Sequence, residues 1–403
     1  MKKIALLNSF FKGGKTFLEY FKRILPNLKN MEKCSVDIFQ PDNKYTLNLS
    51  ISEAENYLQN KVWGLKIFQQ GNSFYLRELF NYDYIFFNDF RRICEIPENI
   101  FTAAIMHGIS PLLNNHKNGF ATYLAYADFI LCSSKSQLKQ CVDEIIEFRK
   151  ANITATSKIT FDYSKRDNAR KTYLCYIQPL KKSLLSNDFV SIKNIDKNNF
   201  TIGIMPSSSG AFPGISLYNS INLIVEELHK NFTSANIIFR PFFTESVAGL
   251  DACLNNLEKH IANFKIDKTN QSSTEFYQQC DILITDFSTG GISFLINKFI
   301  PPIYYILRKF TKHINVKKFI ELQTDKVLFA NSIKELIKQI NFCINLTKEQ
   351  RINYFDNYCK KDLFLHVDNQ QVLQNIINKN FDNFPYVDAQ GNIIFPRDFP
   401  KIF

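Results

Sequence analysis

Five short stretches carry residues whose types and spacing could do chemistry. Thr285-Asp286-Phe287-Ser288-Thr289-Gly290-Gly291 follows the apolar run Ile282-Leu283-Ile284. An apolar burst that turns abruptly into small polar residues and glycines reads as a buried strand, a tight turn and a helix start. The helix would continue through Ile292, Phe294, Leu295 and Ile296. Free backbone N–H groups at such a start, with hydroxyls beside them, suit a phosphate. Glycines there admit close approach of a ligand. The alternative is that Ser288 and Thr289 cap the helix and the glycines make the turn. On these residues alone the two readings stand level.

Pro206-Ser207-Ser208-Ser209-Gly210 has the same grammar after the run at 200–205, with a helix expected over 216–230. It is a second phosphate or sugar loop, or a surface loop. Gly13-Gly14-Lys15-Thr16 lies between a strand at 3–8 and an amphipathic helix at 17–25. The GxxxxGK[ST] spacing of a Walker A loop is absent, so these residues are a cleft loop or a plain strand-to-helix turn. Arg240 ends an expected strand at 235–240 and could meet a phosphate or form a salt bridge. His107 directly follows an expected strand at 101–106. A positioned imidazole titrates in the range needed to deprotonate a hydroxyl, which is otherwise a poor nucleophile. A turn histidine bonded to a backbone carbonyl is the alternative.

The elements that must position these residues follow an alternating pattern. Strands are expected at 3–8, 34–39, 82–88, 101–106 and 127–132, and helices between them. Residues 51–68 read as helix, and 150–198 are poorly patterned. The pattern restarts near residue 199, with strands at 200–205, 235–240, 264–267, 282–284, 303–306 and 327–330. Alternating strands and helices point to an α/β chain with mostly parallel sheets. Helices at 332–344, 348–359 and 369–379 precede a tail rich in Phe, Pro, Asn and Asp, whose aromatics are expected to pack on the body.

A chain of 403 residues predicts two domains, and its 45% hydrophobic content excludes global disorder. The net charge of +11 suits anionic substrates and a peripheral contact with an anionic membrane. Lys and Arg are scattered in ones and twos with no basic block, which argues against nucleic acid. The nine cysteines are odd in number and lack a CxxC pair, so reduced thiols in a cytoplasmic protein without structural zinc are expected. The basic and then apolar start, Met1-Lys2-Lys3-Ile4-Ala5-Leu6-Leu7, is too short for a signal peptide and reads as a first strand.

Residues 283–289 resemble the "LITDYSS" segment of CDP-glycerol glycerophosphotransferases, bacterial enzymes of teichoic-acid and capsule synthesis. The preceding SSTEFYQQCD (272–281) and the following KFIPPI (298–303) resemble that family's flanking helix and strand. His107-Gly108 matches part of its "WHG" motif, and ADFILCSS (127–134) resembles its "ADxxitsS" segment. Phe242 stands where the family carries a second functional histidine, and Ser293 where it carries Asp. The resemblance implies a GT-B-like α/β fold of two Rossmann-type domains facing a cleft, with C-terminal helices returning to the first domain. The expected divisions are 1–198 on the acceptor side, 199–345 for the nucleotide donor, and 346–403 for C-terminal helices and tail.

The resemblance further implies a transferase of surface polysaccharide synthesis that moves a glycosyl or polyol-phosphate group. The donor would be CDP- or CMP-linked, and the acceptor an oligosaccharide or lipid-linked hydroxyl. The enzyme would work at the inner face of the plasma membrane, without metal or other cofactor. The donor site would comprise Ser207, Ser208, Ser209, Gly210, Arg240, Asp286, Ser288, Thr289, Gly290 and Gly291. His107 would be the base, with Gly13, Gly14 and Lys15 lining the cleft. The alternatives are a UDP-sugar transferase or epimerase of GT-B fold, and a noncatalytic partner in polysaccharide assembly.

Overall fold

The computed structural model describes residues 1–8, 34–42, 64–69, 74–88, 93–106, 121–150, 171–177, 194–207, 216–242, 250–269, 273–310, 314–323, 326–364 and 366–396, with positions 21, 28, 50–52, 55 and 192. The chain divides into two compact units. The first comprises Met1–Ile109, His116–Lys181 and Leu363–Phe403, and the second comprises Ser110–Asn115 and Lys182–Asp362.

In the first unit, β1 (Lys2–Asn8), β2 (Cys34–Asp42), β3 (Gly64–Gln69), β4 (Tyr84–Asn88), β5 (Phe101–Ile105), β6 (Phe129–Cys132) and β7 (Thr172–Tyr176) form a parallel sheet. Helices α1 (Phe74–Leu79), α2 (Ala121–Tyr126) and α3 (Lys135–Lys150) belong to it. Both faces of the sheet are covered. Ala5, Leu7, Phe39, Ile85 and Phe87 feed one apolar cluster. Their strand neighbours Ile4, Leu6, Ile38, Tyr84 and Phe86 feed another. Side chains alternate across a strand, so a continuously apolar run is what two buried faces require.

The expected helix at 51–68 is corrected in part. Residues 64–69 are strand β3, which pairs in parallel with β2 from Asp37↔Gly64 to Asp42↔Gln69. A short mixed run has no strong period of its own, and pairing with an adjacent edge decides its state. Likewise β7 lies inside the stretch 150–198 that shows no pattern. Its neighbour β6 supplies the register, with Leu131 opposite Cys175.

The second unit holds a six-stranded parallel sheet among the described residues. Its strands are β8 (Thr201–Met205), β9 (Asn236–Phe239), β10 (Phe264–Ile266), β11 (Ile282–Thr285), β12 (Ile303–Tyr305) and β13 (Leu328–Ala330). The spatial order is β10-β9-β8-β11-β12-β13. Its helices are α4 (Ile221–Asn231), α5 (Leu250–His260), α6 (Ser273–Gln279), α7 (Gly290–Lys298), α8 (Ile314–Gln323), α9 (Ile333–Asn345) and α10 (Lys348–Tyr354). Thr347 and Gln350 form a reciprocal capping box at the start of α10. A π-helical turn, Phe355–Lys360, follows α10.

After Asp362 the chain returns to the first unit. Leu363 bridges to Ser134, and α11 (Asn369–Ile377) adds Leu373, Ile376 and Ile377 to the core there. The hydroxyl of Tyr84 donates to the Ile377 carbonyl at 2.9 Å. Strands β14 (Tyr386–Val387) and β15 (Ile393–Ile394) then extend the first sheet by antiparallel pairing to β7. Among the described residues of the tail, Phe381 packs inward, its ring 5.1 Å from both Phe129 and Tyr173.

One device recurs in both units. Asp83, Asp128 and Asp281 each stand immediately before a strand: β4, β6 and β11. Each carboxylate accepts a backbone N–H from the first two residues of the neighbouring strand: Lys3 at 2.8 Å, Thr102 at 2.8 Å and Thr201 at 2.9 Å. Each aspartate N–H donates back to the carbonyl of that same residue. The paired bonds set the register at the amino ends of the strands. They leave the carboxyl ends, where open α/β sheets bind ligands, to the loops.

Candidate functional site

The second sheet changes direction between β8 and β11, its topological switch point. Their carboxyl ends lie side by side, with Thr285 opposite Met205 and the Thr285 hydroxyl donating to the Met205 carbonyl at 2.6 Å. Beyond them stands Asp286, wholly buried. Its Oδ1 accepts the Ser207 N–H at 2.7 Å. Its Oδ2 accepts the Leu217 N–H at 2.9 Å and the Ser216 hydroxyl at 3.1 Å. The carboxyl group thus ties together the residues on both sides of 208–215. Burial pushes its pKa above the ordinary value, against these hydrogen bonds, which pull it down. Asp286 is a positioning residue: its oxygens face protein donors.

The Ser288 hydroxyl accepts the Gly290 N–H at 3.1 Å, and the Ser288 carbonyl accepts the Tyr304 hydroxyl at 2.6 Å. Thr289 holds the N-cap position of α7 yet makes no side-chain capping bond. The capping alternative therefore describes Ser288 and leaves the Thr289 hydroxyl uncommitted. The Ser207 side chain is buried beside the Asp286 carboxyl and helps to hold its pKa down.

The glycines serve packing. A Cβ on Gly290 would come within 2.8 Å of the Tyr277 hydroxyl, and one on Gly291 within 2.7 Å of the Tyr304 ring. Gly291→Ala must therefore push Tyr304 off the Ser288 carbonyl. We expect a loss of about 1–3 kcal/mol, the usual penalty for overpacking a filled core. Urea unfolding measures it, and a change below about 0.5 kcal/mol, the range of neutral surface changes, would contradict the packing role.

Arg240 already has protein partners. Its guanidinium is 3.8 Å from the Asp267 carboxylate and lies over the Phe276 ring at 5.2 Å. Phe242 packs against the core of the unit, and its N–H donates to the Tyr218 hydroxyl at 2.5 Å. Among the predicted site residues, the structure brings Ser207, Asp286, Ser288, Thr289, Gly290 and Gly291 to one strand-end region. Arg240 directly follows the adjacent strand β9. His107, Gly13, Gly14, Lys15, Ser208, Ser209 and Gly210 lie outside the described residues, as does most of the expected helix at 17–25. Sequence reasoning missed Ser216, Leu217 and Tyr304. Each acts through a contact with a residue distant along the chain, and no local pattern signals it.

Among the described residues no helix is long and apolar enough to cross a membrane, and Cys34, Cys132, Cys141, Cys175, Cys253, Cys280 and Cys343 are free thiols.

No protein-family model matches the chain, and no curated protein matches it by sequence. Solved structures do match its fold. The wall teichoic acid polymerase TagF is 14% identical with a TM-score of 0.55, covering 94% of this chain and 89% of TagF. The S. aureus MnaA–UDP complex is 9% identical with a TM-score of 0.56, covering 94% and 97% of the two chains. The UDP-GlcNAc 2-epimerase of Neisseria meningitidis bound to UDP-GlcNAc is 10% identical with a TM-score of 0.50, covering 95% and 100%. The two mostly parallel Rossmann-type sheets and the C-terminal return to the first unit are a GT-B-like fold, shared with a wall teichoic acid polymerase and a UDP-GlcNAc 2-epimerase.

Proposed function

We propose that this chain is a GT-B transferase of surface polysaccharide synthesis, taking a nucleotide-activated donor, with cytidine as the base. The observation that carries the reading is the β8/β11 switch point. There the uncommitted Thr289 hydroxyl opens α7, and Asp286 fastens Ser207 to the same strand-end region through the Ser207 N–H. The helix start offers backbone N–H groups and a positive dipole end to a diphosphate. A TagF structure soaked with CDPG, at 14% identity and a TM-score of 0.53, supports the cytidine assignment.

In this reading Ser207 to Gly210, Ser288 and Thr289 hold the donor phosphates. Asp286, Gly290 and Gly291 shape the loop. Arg240, held by Asp267, adds positive potential beside it. His107 takes the proton of an acceptor hydroxyl, whose oxygen bonds to the transferred group as the nucleotide leaves. Donors at the helix start stabilise the charge that develops on the leaving phosphate. Gly13, Gly14 and Lys15 belong to the acceptor side, and the acceptor is an oligosaccharide or a lipid-linked chain. In this reading the first unit is the acceptor side and the second unit the donor side.

A second reading, a UDP-sugar 2-epimerase, is favoured by the fold match to the MnaA–UDP complex. Thermal unfolding with CDP, CMP, UDP, GDP and ADP separates the two, because a ligand that binds only the folded state raises its stability by about 2.7 kcal/mol at a hundredfold excess over Kd. We expect a selective rise with CDP or CMP that disappears in the Ser288→Ala/Thr289→Ala double variant. A preference for UDP sinks the cytidine assignment. A flat response to every nucleotide sinks the donor site.

A further inference from the structure

The first sheet has a switch point of its own. Its order, β7-β6-β5-β4-β1-β2-β3, reverses between β4 and β1. The carboxyl ends at that reversal carry amides. Asn88 closes β4 and stands in register with Asn8, which closes β1. On the other side of β1, Leu7 is opposite Phe39, so the next position opposite Asn8 is Gln40 of β2. Three adjacent strands thus bring Asn88, Asn8 and Gln40 into one row at the ligand-binding end of the sheet. Strands are spaced by about 4.8 Å, so the row spans about 10 Å.

Gln40 and Asn88 continue the alternation of Val36 and Ile38 and of Tyr84 and Phe86, all of which face one apolar cluster. Both amides are buried, Gln40 to 4% exposure and Asn88 to 1%. The Gln40 Nε2 group has no hydrogen-bond partner. Burying an amide N–H without a partner costs about 1–3 kcal/mol. Two buried amides that follow Val36 and Ile38, and Tyr84 and Phe86, on a face otherwise given to that apolar cluster are poorly explained by packing.

From these observations the geometry points to a second binding site in the first unit, in which Gln40 and Asn88 read the hydroxyl groups of a neutral polyol or sugar. The chemistry follows from the side chains. The three positions of the row carry no charge, so they offer little to a phosphate. An amide donates two hydrogen bonds and accepts at its oxygen, while a hydroxyl both donates and accepts. Two amides about 10 Å apart match a chain of three to five hydroxylated carbons or one hexose ring. The site rests on the transferase reading, in which it takes the acceptor whose hydroxyl is activated. It is independent of the nucleotide site in its residues and in its test.

Saturation-transfer NMR on the full chain, with glycerol, ribitol and N-acetylglucosamine as probes, tests the site directly. We expect saturation of at least one probe by the unaltered protein and a loss of at least tenfold in Gln40→Met, which keeps the volume and removes the amide. Hydrogen exchange on the unaltered protein gives a measure that needs no variant: the probe should slow exchange at 34–42 and 84–88. No saturation by any probe, an unchanged signal in Gln40→Met, or protection confined to other strands overturns the proposal. Nucleotide stabilisation of the unaltered protein is read separately. If it is absent while the polyol still binds, the donor reading fails and the amide row stands. If it is present while no polyol binds, the amide row fails and the donor reading stands.

Discussion

Replacing Asp286 by alanine lowers stability by about 3 kcal/mol or more, because hydrogen bonds to a charged group each contribute about 1.5–3 kcal/mol and the orphaned donors stay buried. The Ser207 and Leu217 N–H groups and the Ser216 hydroxyl all point at this carboxyl. The variant should also lose any nucleotide-induced rise in melting temperature, since both anchors of the 208–215 segment are released together. Asp286→Asn is milder: it keeps one acceptor oxygen but turns an NH2 group toward a donor.

The same pair gives a pH test. Burial raises the folded-state pKa of Asp286 above its ordinary 3.8, so the folded protein holds that proton longer than the unfolded chain. The associated stability is fully present below the unfolded pKa and is lost as pH rises through the folded value. Asparagine does not titrate. The stability difference, unaltered protein minus Asp286→Asn, should therefore fall as pH rises out of the acid range and then level off. Urea unfolding at a series of pH values measures it. A difference that grows with pH would mean that the three hydrogen bonds outweigh burial.

Arg149→Met should cost about 3 kcal/mol or more, by the penalty for stranding buried acceptors of a charged donor. Arg149, near the end of α3, is buried, and burial pulls its guanidinium pKa down to about 10, so it remains cationic at neutral pH. One terminal nitrogen donates to the Val387 and Asp388 carbonyls at 2.6 and 2.7 Å. The other donates to the Ala125 carbonyl at 3.1 Å and the Thr172 hydroxyl at 2.7 Å. A single side chain thus holds α2, α3, β7 and the β14–β15 extension together. Arg149→Lys should fail to restore the stability, because an ammonium cannot fork to four acceptors spread over α2, β7 and the end of β14. The chemical signature is local: hydrogen exchange at 386–394 should rise more than at β1 or β4. Uniform exchange across the sheet would show that Arg149 does not fasten the C-terminal extension.

Much of the strand pattern was legible because it is local. Ile282-Leu283-Ile284 and Tyr84-Ile85-Phe86-Phe87 are apolar on both faces, which is what a doubly covered parallel strand requires. The turn after β11 and the start of α7 were legible from Ser288 through Gly291 for the same reason. Strand β3 was not, because Gly64–Gln69 acquires its state from β2 beside it. The same holds for β7, whose residues interrupt a polar stretch and are recruited by β6.

The sequence by itself determined the α/β alternation, its restart near residue 200, and the strand-to-helix turn after β11 that carries hydroxyls and glycines. These depend on the period and composition of contiguous residues, which act over one turn or one strand. Only the tertiary structure decided what each site residue does. Asp286 binds partners 69 to 79 positions away, Ser288 is held by Tyr304, 16 positions on, and Arg240 is matched to Asp267. A buried carboxyl or hydroxyl takes its role from the groups that satisfy it, and those are assembled by the fold from distant parts of the chain.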